Sequence, residues 1–360
     1  MNSMPRRNSS SRRNSALPIG FMSAMLTLIH LRFSVGYDTE ITSDLELNSR
    51  QKRCEQLVAP QEEWTMALIP FDDRDGTIWL NGEMLPWRDA KTHTLSHGLH
   101  YASLVFEGER VYSGNIFKGR EHTERLRNSC KIMDFDIPLS DNEVDAAKMA
   151  VVEANGITDG YVRAFCWRGS EMMAVSAQKT KTHVAIAAWE WPSYFDPETK
   201  MQGITLDIAD WKRPSPESAP VHAKAAGLYM ICTLSKHAAE KKGFTDALML
   251  DYRGYIAEAT GANIFFVDGE GTIHTPIADC FLDGITRRTV IQLAQLLQMK
   301  VVQRHLTLKD VADMKECFLT GTAAEVTPVS KIGDLTFTPG DASRQLVEGY
   351  EDLVRGRISV

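Results

Sequence analysis

Lys224 stands in Val221-His222-Ala223-Lys224-Ala225-Ala226-Gly227, a long cation among small residues just ahead of a helix-like pattern. An ordinary lysine, with a pKa near 10.4, is neutral in only about one molecule in 10³ at pH 7. Desolvation or neighbouring cations must activate it before it can attack an aldehyde. Small neighbours leave room for a flat cofactor against the backbone. A lysine at a helix start is more often simply solvated, so the motif is weak by itself. Glu258, in Tyr255-Ile256-Ala257-Glu258-Ala259-Thr260-Gly261-Ala262-Asn263, is an acid inside an apolar, small-residue stretch. Buried carboxylates take cationic partners. A protonated pyridine nitrogen is one such partner, and a carboxylate there holds the ring as an electron sink. An edge-strand glutamate facing water fits the same pattern.

Two segments have the composition of anion seats. Asp283-Gly284-Ile285-Thr286-Arg287 opens an amphipathic helix with Val290, Leu293, Ala294 and Leu297 on its inner face. Glycine, free backbone N–H groups and a threonine hydroxyl at a helix N-terminus suit a phosphate or carboxylate. Thr286 as a plain helix cap is the alternative, and Asp283 must point away from any phosphate. Gly321-Thr322-Ala323-Ala324-Glu325 follows a strand and exposes backbone N–H groups that suit an anion, although a bare loop of this kind is not specific. Nearer the N-terminus lie Val105-Phe106-Glu107-Gly108-Glu109-Arg110 and Tyr161-Val162-Arg163. Strand alternation puts Gly108 and Arg110 on one face and Glu109 on the other, and sets Tyr161 beside Arg163. Two arginines and an aromatic ring lining one pocket would neutralise a substrate carboxylate. Pairing of either arginine with a structural acid such as Glu107 is the other reading. The ten histidines form no H-x-x-x-H or comparable cluster, so no metal is assigned.

The elements that must position these residues follow from periodicity. Thr77–Leu80 and Glu83–Leu85 flank Asn81-Gly82, a hairpin signal. Residues 101–118 read as a strand pair around Ser113-Gly114-Asn115. Helices are predicted over Arg120–Met133, with Leu126, Cys130 and Met133 on one face, and over Asp141–Ala154, capped by Ser140 or Asp141 with Val144, Ala147 and Val151 as its stripe. Strands Tyr161–Trp167 and His183–Trp189 complete a sheet with two helices. Trp191 to Pro197 breaks the pattern as an interdomain link. Beyond Gly203 come a helix over about Ala226–Lys241, hairpins at Arg253-Gly254 and Asp268–Gly271, and a helix over Thr286–Met299. A strand over Lys300–Arg304, a helix opened by Thr307, a strand into Gly321 and a last helix over about Ala342–Gly356 follow.

The chain has 360 residues, 43% hydrophobic and 24% charged, which suits roughly two globular domains. A net charge of -7 argues against a nucleic-acid binder. Six scattered cysteines without a C-x-x-C pair suit a reducing compartment rather than a disulfide framework. Residues 1–37 hold five arginines, many serines and no acid. They have the composition of an organellar transit segment, with a disordered extension before Met66 as the alternative. Their apolar run is too short and mixed for a membrane span. The division expected is 1–65 extension or targeting segment, 66–194 small domain, 195–202 link and 203–360 large domain.

The order of the blocks is far more specific than any one of them. His97-Gly98-Leu99-His100-Tyr101, Val105-Phe106-Glu107-Gly108, Arg120-Glu121-His122 with Arg125-Leu126, Tyr161-Val162-Arg163, Lys224, Glu258 to Asn263, Gly284-Ile285-Thr286-Arg287 and Gly321-Thr322-Ala323-Ala324-Glu325 succeed one another. This succession, from about Thr77 to Val329, resembles the class IV (fold-type IV) pyridoxal-phosphate aminotransferases, and most of all their branched-chain amino-acid members. The resemblance implies an α/β (α+β type) two-domain fold with pyridoxal 5'-phosphate between the domains, usually in a homodimer that shares a loop. It implies that Lys224 bonds the cofactor and moves the proton, that Glu258 partners the ring nitrogen, and that Arg120, Ile285, Thr286 and Thr322 form the phosphate cup. Tyr229 would flank the phenolic oxygen. Thr322 and Ala323 would bind the α-carboxylate. Tyr101, Phe106, Arg110, Tyr161, Arg163, Trp191 and Tyr194 would form the side-chain pocket.

The activity implied is reversible transfer between leucine, isoleucine or valine and 2-oxoglutarate. Weak discrimination among the three is expected, since a methylene-scale difference is worth only about 1–3 kcal/mol. The same fold also carries D-amino-acid and (R)-amine aminotransferases and aminodeoxychorismate lyase, and Tyr161-x-Arg163 favours the branched-chain type. Small amino and keto acids, with no nucleic acid or membrane, are the partners expected, in a cytoplasmic protein unless residues 1–37 direct it to an organelle. Two positions depart from the family pattern: Glu109, where an apolar residue is commoner, and Asp283, where proline is frequent.

Overall fold

A computed structural model describes residues 69–191 and 200–359. The expected extension over residues 1–65, Tyr194 and most of the expected link lie outside the described residues.

The first sheet contains β1 (Thr77–Leu80), β2 (Glu83–Pro86), β3 (Leu104–Phe106), β4 (Glu109–Tyr112), β5 (Asn115–Ile116), β6 (Gly160–Arg168) and β7 (Thr182–Glu190). Its order is β2-β1-β7-β6-β4-β5, with β3 also on β6, and every pairing is antiparallel. Asn81 and Gly82 close the first hairpin with φ of 52° and 104°, the left-handed pair that a two-residue hairpin turn needs. Around this sheet lie α1 (His97–Tyr101), α2 (Gly119–Ile132) and α3 (Asp141–Ala154). In α3, Ser140 accepts from the Glu143 N–H while the Glu143 carboxylate accepts from the Ser140 N–H. This capping box is worth about 1 kcal/mol. Period two divides β6: Val162, Ala164 and Cys166 are buried with Leu126, Cys130, Val144 and Val151 of the two helices, while Tyr161 and Arg163 face the other way, toward the site.

The second sheet contains β8 (Ile204–Ile208), β9 (Asp246–Leu250), β10 (Ile256–Ala259), β11 (Asn263–Val267), β12 (Ile273–Thr275), β13 (Val301–Gln303), β14 (Glu316–Gly321), β15 (Glu325–Ile332) and β16 (Leu335–Thr336). Strands β10-β9-β8-β15-β14-β11 follow in order, and β10 also pairs with β11, so six strands close into a ring. The closing pair is Glu258 with Asn263. Helix α4 (Met230–Lys241) packs on β8 and β9. Alternation along β11 sends Ile264 and Phe266 into one apolar cluster. Phe265 and Val267 go into another, under α5 (Ile285–Leu296) and α6 (Asp341–Val354).

One expected element is missing. Thr307 opens a turn and no helix follows. Asp310 accepts from the Thr307 N–H at 2.8 Å as a helix cap would, but β14 begins at Glu316, and so short a segment does not repay helix nucleation. Among the described residues, no helix is long and apolar enough to cross a membrane.

Candidate active site

Lys224 is anchored to the first sheet and to α2. The Phe106 N–H donates to the Lys224 carbonyl at 3.1 Å, and Val105 bridges Ala225. From the other side, the Lys224 N–H donates to Ser129 Oγ of α2 at 3.0 Å. The backbone of the lysine is therefore fixed from both flanks while its side chain reaches into a pocket. There Nζ donates to Tyr229 Oη at 2.9 Å and lies 5.1 Å from the centre of the Phe106 ring.

Ring closure delivers the second group. Glu258 is buried at the β10–β11 junction, and its Oε2 accepts from Asn263 Nδ2 at 3.2 Å. Arg213 Nε lies 3.3 Å from Oε1. Burial pushes the Glu258 carboxyl up to about 7, against the opposing pull of Arg213 and Lys224. Asn263 also accepts from the Gly284 N–H at 3.2 Å, so one side chain joins the acid to the start of α5. A Cβ on Gly284 would come within 2.2 Å of Asn263 Oδ1, which explains the glycine.

Helix α5 has no side-chain cap and no acid in its first turn. Thr286 therefore does not serve as its cap; with Gly284 and Ile285 it lines the pocket. Unsatisfied N–H groups and the helix dipole make this end attractive to an anion. Asp283 turns outward to Arg287 at 2.8 Å and Arg288 at 3.4 Å, as its position required. Thr322 lines the same pocket.

Arg120, expected in a phosphate cup, does not line the pocket. Arg120 is exposed on α2 and bonds Asn142 at 2.6 Å and Asp145 at 2.8 Å, away from the pocket. Arg125 lines the pocket instead. Five residues along a helix rotate a side chain by roughly 140°, so the two cannot share a face. Arg125 is held by Glu107, which takes Nε at 2.7 Å and Nη2 at 2.8 Å and also bonds His122 at 2.6 Å. Burial would raise the Glu107 carboxyl, but Arg125 and His122 outweigh it and hold it well below the usual range. A charged residue on the inner face of α2, in step with His122, Leu126 and Ser129, was the available signal. Arg213 and Asn263 were also missed; no spacing announces Arg213.

The expected side-chain pocket is brought together only in part. Tyr161, Arg163, Trp191 and Ala323 line one cavity, with Phe71, Trp87, Ala187 and Trp189 as further walls. Phe106 connects it to the lysine, its ring lying 4.6 Å from the Arg163 guanidinium and 4.9 Å from Tyr229. Two residues lie elsewhere. Arg110 is buried 3.9 Å from Glu325 and beside Tyr112, in a different cavity, because Glu325 supplies the nearest charge. Tyr101 stacks on His97 at 4.5 Å and is 45% exposed. Its short helix faces outward, so it does not reach Lys224 within one chain. Glu109 pairs with buried Lys148 at 2.9 Å on the face opposite Arg110.

A lysine hydrogen-bonded to a tyrosine, a buried acid and a helix N-terminus now share one pocket, and the family comparison agrees. Residues 104–332 match the family model for amino-transferase class IV. The chain belongs to the class IV aminotransferases. It is 42% identical over 283 residues to a probable branched-chain-amino-acid aminotransferase of Rickettsia bellii, covering 78% of this chain and 96% of that protein. It is 40% identical over 292 residues to the branched-chain-amino-acid aminotransferase of Pseudomonas aeruginosa, covering 79% and 95%. The crystal structure of a T.th. branched-chain amino acid aminotransferase with pyridoxamine 5'-phosphate superposes with a TM-score of 0.77 at 38% identity, covering 79% of this chain and 96% of that one. This aminotransferase has the two-sheet α/β fold of that enzyme, and pyridoxal 5'-phosphate is its cofactor. The pocket fits that group: among the described residues the buried Thr320 Oγ1, which lines it, has no hydrogen-bond partner, and the Glu258 carboxyl, raised by burial despite Arg213 and Lys224, gains from a further cation.

Proposed function

We propose that this aminotransferase reversibly moves the amino group of leucine, isoleucine or valine to 2-oxoglutarate, using Lys224. The observation that carries the reading is the placement of Lys224 Nζ 2.9 Å from Tyr229 Oη in the pocket that also holds Glu258 and the first turn of α5. When bound, the cofactor supplies an aldehyde and an electron-accepting ring. Lys224 would hold it through Nζ and, once displaced by the substrate amine, would take the Cα proton and return it to the cofactor's C4′. Glu258 holds the ring nitrogen, Tyr229 the phenolic oxygen, and Arg125 with Ile285, Thr286 and Thr322 the phosphate. Thr322 and Ala323 receive the α-carboxylate.

The aromatic cavity around Tyr161 and Trp191 accepts the branched side chain, while Arg163 at its edge receives the second carboxylate of glutamate. Strand alternation supports this division of labour, and relatives named for branched-chain substrates support the substrate class. The site is read as lying between a domain of residues 66–194 and one of residues 203–360. A homodimer is supported by the exposed Leu95, Leu99 and Tyr101 beside the exposed Met173 and Val175, with His97 Nε2 2.9 Å from the Ala174 carbonyl. Tyr101 would then serve the partner's pocket. A cytoplasmic site of action is supported by the buried free thiols of the described cysteines.

Steady-state assays with leucine, D-alanine and an (R)-arylamine test the substrate. Leucine should be the best donor, and an inert leucine with a reactive (R)-amine refutes the reading. A Lys224→Ala protein should lose transamination and the visible absorption of the lysine-bound cofactor. Full activity in that variant refutes the mechanism.

A further inference from the structure

The loop from Gly321 to Glu325 joins β14 to β15, with Gly321 and Glu325 directly paired across the hairpin. A hairpin turn of this kind closes on a residue in the left-handed conformation, which glycine favours. Here that residue is Glu325, with a φ of 53°. A non-glycine side chain in this region is strained, and strain of this sort gathers at functional sites where the surroundings enforce it.

The surroundings of Glu325 do enforce it. The residue is buried, with 7% exposure. Oε1 accepts from Tyr112 Oη of β4 at 2.8 Å, and Oε2 accepts from Lys200 Nζ at 3.0 Å. Arg110 Nη1 lies 3.9 Å from Oε1. Burial would raise this carboxyl, but Lys200, Tyr112 and Arg110 hold it below its ordinary value, so it stays charged. The partners come from β4 of the first sheet and from Lys200 just ahead of β8. Immediately before Glu325, Thr322 lines the Lys224 pocket and Ala323 the aromatic cavity.

We infer that Glu325 is a positioning residue: held by Tyr112, Lys200 and Arg110, it locks the Thr322–Ala324 loop in the conformation that presents its N–H groups to the substrate α-carboxylate. This rests on the proposed role of Thr322 and Ala323. A glycine at 325 would suit the backbone better, so the glutamate is there for its side chain.

That contrast supplies the test. Glu325→Gly relieves the strain and removes the anchor; Glu325→Gln keeps the acceptor for Tyr112 and removes the charge. In the cofactor-loaded Gly variant, KM for leucine and the Kd of 4-methylvalerate, a carboxylate without an amino group, should rise about tenfold, as for loss of a charge-assisted hydrogen bond. KM should rise by more than kcat falls; the thermal midpoint should drop as well, because Arg110 and Lys200 lose their buried counter-charge. The Gln variant should recover part of the loss. In cofactor-free protein, amide hydrogen exchange at 322–324 should quicken in the same order, Gly above Gln above wild type. Unchanged Kd and unchanged exchange in both variants overturn the inference, as does a Gly variant that loses stability while binding 4-methylvalerate normally. If the Gly variant does not fold, the Gln variant decides by the same two readouts. Wild-type protein inert toward leucine would sink the substrate reading instead, and that control separates the two failures.

Discussion

Replacing Glu258 by glutamine removes a negative charge and keeps the shape of the side chain. In the folded, cofactor-free protein the Glu258 carboxyl is pushed from an ordinary 4.5 to about 7, because burial outweighs Arg213 and Lys224. Between those values the folded state binds more protons than the unfolded chain, so wild-type stability falls as the pH rises through the window. Glutamine does not titrate there. At about 1.4 kcal/mol per pKa unit, the glutamine variant should gain about 2–3 kcal/mol on the wild type between pH 5 and pH 8. Urea unfolding of both cofactor-free proteins at the two pH values measures that difference. With cofactor the order reverses: the variant loses a charge-assisted contact and should hold the cofactor about tenfold to a hundredfold less tightly, read from visible absorption during dialysis. A stability gap that is the same at pH 5 and pH 8 would refute the claim that burial raises this acid despite Arg213 and Lys224.

Three further substitutions probe the site. Arg125→Lys keeps a positive charge beside Glu107 but loses the planar fork, and should weaken cofactor binding about tenfold; Arg120→Ala, on the opposite side of α2, should change it by less than about twofold, as exposed pairs contribute little. Cofactor titrations of the two variants should therefore differ, and equal effects would restore Arg120 to the site. Gly108→Ala would set a Cβ 1.8 Å from Tyr161 Oη. Tyr161 is wedged against Trp189 and Trp191 at 5.1 and 5.6 Å, so overpacking should cost about 1–3 kcal/mol in denaturant unfolding and raise KM for leucine and 2-oxoglutarate together.

Local chemistry makes much of this protein legible from the chain alone. Asn81-Gly82 dictates its hairpin, Ser140 and Glu143 dictate the start of α3, and alternation divides β6 and β11 into their two faces. These features depend on neighbours along the chain, and a sequence displays such neighbours directly. The order of the blocks around Lys224, Glu258, Gly284 to Thr286 and Gly321 to Glu325 was enough to select the family. What the sequence could not decide was which side chains converge from distant segments. Arg120 and Arg125 are both arginines of one helix, and only pairing with Glu107, in the wall of the Lys224 pocket, selects the second. Arg213 reaches Glu258 because β9 and β10 fold back beside it, a proximity with no trace in spacing. Glu325 occupies a left-handed position that its own chemistry disfavours, since three partners from other segments hold it there. The intrinsic preferences of the chain set the elements, and long-range contacts set which charges face one another.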